Sequence, residues 1–66
     1  MEIRVNGKAV ETSEGIRLAA LLGQLESPLE GVAVAINLAV VPKVEWNNRV
    51  LQQGDTIEIV RAVGGG

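Results

Sequence analysis

The sequence predicts an α+β domain in which one main helix packs on one face of a sheet. Three patterns carry that prediction. Glu2-Ile3-Arg4-Val5 alternates polar and apolar residues and runs directly into Asn6-Gly7. Leu18, Leu21, Leu22 and Leu25 then fall at i, i+3, i+4 and i+7, a single stripe on a helix. Beyond them come short apolar runs separated by turn residues, at Val32–Ile36, Ala39–Val41 and Thr56–Val63.

Taken in order, the first strand places Ile3 and Val5 on one face. Asn6-Gly7 is the strongest short hairpin signal, because both residues accept the positive φ of a type I′ turn. The return strand runs from Lys8 to Thr12, with Val10 inward, and Thr12-Ser13-Glu14-Gly15 marks a break and a helix start. The helix covers Ile16 to Leu25, with Arg17 and Gln24 on the polar side. Gly23 inside it weakens the helix by about 1 kcal/mol relative to alanine. Ser27-Pro28-Leu29-Glu30-Gly31 is a loop. In the third strand Val32, Val34 and Ile36 point inward, leaving Ala33 and Ala35 on a face that lets another backbone come close. Asn37-Leu38 turns into Ala39–Val41, which Pro42 ends for want of an N–H. Residues 43–49 are irregular or a short helical turn, with Trp46 a lid on the edge of the core or, on the lesser reading, an anchor for a partner. After the Gly54-Asp55 turn, Ile57 and Ile59 face the helix while Thr56, Glu58 and Val60 face outward.

Composition narrows the function more than it names it. At 66 residues and 47% apolar, the chain is a single domain able to build its own core. Zero Cys and zero His remove disulfides, thiolate metal sites and the commonest general base. No metal site is expected. Six basic and eight acidic residues, without a basic stripe, give a net charge of -2, and Trp46 is the sole aromatic. Nucleic acid is not expected as a ligand. Apolar runs such as Val32–Ile36 are too short for a bilayer, and the N-terminal residues do not form a signal peptide. The expectation is a cytoplasmic protein, monomeric when free.

No set of side chains forms a self-contained active site, so the chain reads as a substrate or carrier and not as an enzyme. Ser13, Ser27, Thr12 and Thr56 have no imidazole to activate them. The distinctive chemistry lies in Gly64, Gly65 and Gly66, which follow directly on Val63. A glycine run fits a slot too narrow for any Cβ and tolerates whatever angles the slot imposes. At about 3.3 Å per extended residue, Val63 to Gly66 would reach about 13 Å. We therefore divide the chain into a domain, 1–63, and a flexible glycine tail, 64–66. The carboxylate of Gly66 becomes a useful electrophile once another enzyme converts its oxygen to a leaving group.

These features together resemble the ThiS family of sulfur carriers, which have a β-grasp (ubiquitin-like) fold. The resemblance rests on Gly31-Val32-Ala33-Val34-Ala35-Ile36-Asn37, Val40-Val41-Pro42-Lys43, Trp46, Gly54-Asp55-Thr56-Ile57-Glu58-Ile59-Val60 and the terminal Val63-Gly64-Gly65-Gly66. Asn6-Gly7 and the leucine stripe fit as well, so it covers essentially the whole chain. It implies a mixed sheet of four to five strands. It implies that Gly66 is adenylated by an E1-like adenylyltransferase (ThiF) with ATP and Mg²⁺, converted to a thiocarboxylate, and used by thiazole synthase (ThiG) to build the thiazole of thiamin. The chain itself would bind no cofactor. Lys43 stands where a basic residue, often Arg, is expected. Val60, Ala62, Val63, Ala33 and Ala35 are the expected docking residues. Sulfur carriage for molybdopterin or for tRNA thiolation, a ubiquitin-like protein modifier, and an inert interaction module remain as alternatives.

Overall fold

The computed structural model describes residues 1–61. Strands β1 (Glu2–Val5), β2 (Lys8–Glu11), β3 (Val32–Ile36), β4 (Ala39–Val41) and β5 (Thr56–Arg61) form one sheet in the order β2-β1-β5-β3-β4. β1 and β5 are parallel and every other pairing is antiparallel, so the sheet is mixed. The helix α1 (Leu18–Gln24) and a 3₁₀ turn at Lys43–Glu45 complete the described elements.

Both hairpins turn through left-handed residues. Asn6 and Gly7 have φ of 50° and 84°, the geometry the Asn-Gly pair predicts. The β3–β4 turn repeats this with Asn37 at 50° and Leu38 at 73°. A leucine has no steric licence for that region, and Leu38 is 88% exposed, so burial offsets none of the strain. Leu38→Gly is expected to stabilise the domain by about 0.5–1 kcal/mol, a rise of a few degrees in Tm. A thermal melt that falls instead would show that the leucine makes a stabilising contact.

The helix is shorter than its sequence pattern, beginning at Leu18 and not Ile16. Its cause is tertiary. The preceding residue, Arg17, offers no side-chain cap. Instead the Leu18 and Ala19 N–H groups donate to the Arg49 and Trp46 carbonyls, at 2.8 and 3.0 Å. The 46–51 segment is held there by Leu51 N–H on the Ile16 carbonyl and by the Arg17–Val50 bridge. These bonds use the orphan donors that every helix start leaves. At the other end Glu26 takes φ 55°, and Ser27 and Glu26 N–H groups donate back to Leu22 and Gly23. That is a Schellman closure with glutamate where glycine is usual. β2 is likewise one residue shorter than expected, ending at Glu11. Thr12 still bonds across to Met1 through its N–H, and the Met1 ammonium donates to the Thr12 carbonyl at 2.7 Å.

Ile3, Val5, Leu18, Leu21, Leu22, Val34, Ile36, Val41, Trp46, Leu51 and Ile57 form the buried core between the sheet and α1. Val10, Leu25, Val32 and Ile59 pack against it partly buried, so every inward position expected from the strand and helix periods lies on the core side. Trp46 is a correction: at 4% exposure it is part of the core, and not a lid at its edge or a partner's anchor. Its indole Nε1–H donates to the Val41 carbonyl at 2.9 Å, joining the segment after the 3₁₀ turn to the end of β4. Glu30 and Lys43 pair at 2.6 Å across the loop before β3. The Lys43 ammonium holds the exposed Glu30 carboxyl below its usual range. What that pair contributes is present at neutral pH and lost as pH falls through the lowered value.

Candidate functional site

Because α1 covers one face of the sheet, the other is open. Strand alternation assigns that face to Ala33 and Ala35 on β3, Val40 on β4, Thr56, Glu58 and Val60 on β5, and Arg4 on β1. The register brings several of these together. Ala33 lies directly across from Val60, and Ala35 lies between Val40 on one side and Glu58 on the other. Val60 is 62% exposed and Val40 74%. Ala33 is exposed and Ala35 half-buried. The alanines leave the backbone between two valines shallowly covered, which makes a low apolar surface bordered by Glu58.

Three of the expected docking residues, Val60, Ala33 and Ala35, therefore share one face and are neighbours on it. Ala62, Val63, Gly64, Gly65 and Gly66 lie outside the described residues. Val40 escaped the sequence reading. The signal was present: within Ala39–Val41 the inward phase belongs to Val41, which is buried, and that leaves Val40 on the open side. Leu51, buried in the core, was missed for the same reason of context, since an isolated Val50-Leu51 pair carries no period.

β5 runs through this site and is gripped from both edges. β3 pairs with it from Ile57 to Arg61. On the other edge β1 pairs only Arg4 and Val5, with Thr56 and Ile57. There the Asn6 side chain takes over, its Oδ1 accepting from Ile59 N–H at 2.8 Å and its Nδ2 donating to the Ile59 carbonyl at 3.3 Å. Asn37 does the same at the start of the strand, accepting from Thr56 N–H at 3.0 Å and donating to the Asp55 carboxylate at 3.1 Å. Asparagine suits both positions because its short amide tolerates left-handed φ and mimics a peptide group.

Among the described residues no cavity is found, and no cluster of acidic residues could hold a metal ion. Nor is any helix there long and apolar enough to cross a membrane. What the described fold offers is an open sheet face whose apolar part is Ala33, Ala35, Val40 and Val60.

Comparison with known proteins places the chain. A family model described as the ThiS family matches residues 3–66. The sulfur carrier protein ThiS of Escherichia coli (strain K12) is 35% identical over 66 residues, with all of both chains covered. A thiazole synthase of Paramagnetospirillum magneticum is 38% identical over the whole of this chain, which spans only 20% of that relative. Among solved structures, the crystal structure of the thiamine biosynthesis protein ThiS from Geobacter metallireducens superposes with a TM-score of 0.89 at 29% identity, again covering all of both chains. The five-stranded mixed sheet with one helix on its face is thus the β-grasp fold of that structure. By its sequence over nearly its full length, the chain belongs to the ThiS family.

Proposed function

We propose that this protein is a sulfur carrier of thiamin biosynthesis, a substrate that other enzymes charge and discharge, and not an enzyme itself. The observation that carries this is the match of the family model through residue 66, so that the glycines fall inside the shared pattern. The name of the fully covered relative, a sulfur carrier, and the thiazole synthases that contain a similar stretch favour the thiazole product over molybdopterin or thiolated tRNA.

In this reading residues 1–63 are the handle and 64–66 the arm. The carboxylate of Gly66 attacks the α-phosphorus of Mg-ATP held by a ThiF-type adenylyltransferase, releasing pyrophosphate and leaving an acyl-adenylate. The terminal sulfur of a cysteine persulfide attacks the carbonyl carbon and expels AMP. A thiol then cleaves the resulting acyl disulfide, leaving a thiocarboxylate on Gly66 and a disulfide on the donor side. ThiG-type thiazole synthase accepts the sulfur. Gly64 and Gly65 keep the approach to the carbonyl clear of side chains. ATP and Mg²⁺ belong to the activating enzyme, and the carrier is a cytoplasmic monomer between encounters.

Val60, Ala33 and Ala35 on the open face, with Ala62 and Val63 leading to the arm, form the docking surface. Val60→Asp is expected to raise the KM for the carrier by about tenfold through a desolvated charge in an apolar contact. Its Tm should move by less than about 3 °C, because the position is exposed. An unchanged KM would remove this face from the interface. The activity itself is tested by incubating the protein with the adenylyltransferase of its own source, ATP and a persulfide donor, and measuring intact mass. Replacement of one oxygen by sulfur on Gly66 is the expected product. Covalent adducts with other proteins would indicate a modifier, and an unchanged mass an inert module.

A further inference from the structure

The two asparagine clamps on β5 are chemically alike but sit at opposite ends of the strand. Asn37 bonds at Thr56, next to the Gly54-Asp55 turn, whereas Asn6 bonds at Ile59, two residues before the last described residue, Arg61. At Ile59 the neighbouring strand β1 has already turned away, since its last partner on β5 is Ile57. Among the described residues the Asn6 amide supplies the final pair of hydrogen bonds on that edge. On the opposite edge the β3 ladder runs as far as Val32 against Arg61, the last described residue.

We propose that Asn6 is a positioning residue for charging: by closing the free edge of β5 at Ile59 it fixes where, and in which direction, the chain leaves the domain toward residues 62–66. This rests on the reading that Gly66 carries the acyl group. Asn6 meets β5 through the backbone of Ile59, so it acts through that strand. Without it, β5 beyond Ile57 is held by β3 only, and the strand end can splay in the plane of the sheet. A strand end free to splay starts the arm from a spread of positions, so fewer encounters bring the terminal carbonyl to reacting distance, and lost orientation of that kind can cost about a hundredfold in rate.

Asn37 supplies an internal control. Asn6→Gly and Asn37→Gly each delete an amide clamp while leaving a residue that accepts the turn's positive φ; the first leaves a Gly-Gly pair, still a good type I′ turn, and the second leaves a glycine before Leu38. Backbone amide hydrogen exchange is compared with steady-state pyrophosphate release by the activating enzyme, with the carrier varied at saturating ATP. In Asn6→Gly we expect exchange at the Ile59 amide to speed up at least about tenfold, and kcat to fall about tenfold with KM within about twofold of the parent. In Asn37→Gly, exchange speeds up at Thr56 and kcat stays at the parental value. Asn6→Asp, which keeps the acceptor for Ile59 N–H, should restore most of the kcat. Equal kcat losses in the two glycine variants, or none in Asn6→Gly, would overturn the positioning role while leaving the carrier reading intact. No pyrophosphate release from the parent protein would instead overturn the carrier reading, and the proposal with it.

Discussion

Removal of Gly65 and Gly66 is expected to leave the melting temperature unchanged and to lower sulfur loading by at least about a hundredfold. The core lies between α1 and the sheet and is built from residues between Ile3 and Ile57. Chemically the glycines are everything. Two residues account for about 7 Å of extended arm, so the shortened chain would offer its carboxylate about 7 Å short of the α-phosphate. A miss of even 1 Å can cost about a hundredfold. Mass spectrometry after incubation with the activating enzyme reads the loss directly, and calorimetry verifies the intact fold. Loading that persists in the truncated chain would refute the assignment to Gly66.

The second large effect concerns stability. Trp46→Ala is expected to lower unfolding free energy by about 3–5 kcal/mol, through the cavity left by a buried indole. Loss of the indole N–H also leaves the Val41 carbonyl without that donor. A domain of this length has roughly 3–10 kcal/mol in all, so the variant sits near its unfolding midpoint. At about 4–8 °C per kcal/mol, Tm should drop by about 12 °C or more. Because Trp46 is the sole aromatic residue, far-UV circular dichroism and not intrinsic fluorescence is the measurement. Trp46→Phe fills most of the space without the hydrogen bond and should lose about 1–2 kcal/mol. A shift of less than about 3 °C in the alanine variant would place the side chain outside the core.

Much of this fold was legible because its signals are local. The Asn6-Gly7 pair set the first hairpin, the leucine stripe set the buried face of α1, and alternation along Val32–Ile36 separated Val34 and Ile36 from Ala33 and Ala35. What sequence could not show is decided between distant segments. The start of α1 moves to Leu18 because its donors are met by the carbonyls of Trp46 and Arg49, and no cap residue marks that. Trp46 reads as a lid when its surroundings look polar, yet the chain folds it under β4. The open face was legible by halves. Val60, Ala33 and Ala35 follow from strand phase, but their adjacency to Val40 depends on the register between β3 and β4. The asparagine clamps were invisible, since each residue looked fully explained by its turn.

The position of β5 has a consequence for how the protein is made. It is the latest strand in the described chain, yet it is inserted at the centre of the sheet, with β1 on one side and β3 on the other. A polypeptide still being synthesised, ending anywhere before Thr56, has two half-sheets that cannot join and a seven-residue helix too short to persist alone. Until Arg49 has been made, its first-turn amides also wait for carbonyls about thirty residues downstream. Closure of the sheet therefore waits for Thr56–Arg61 and comes in one late step. An activating enzyme that recognises the assembled sheet would thus meet no half-made product to adenylate.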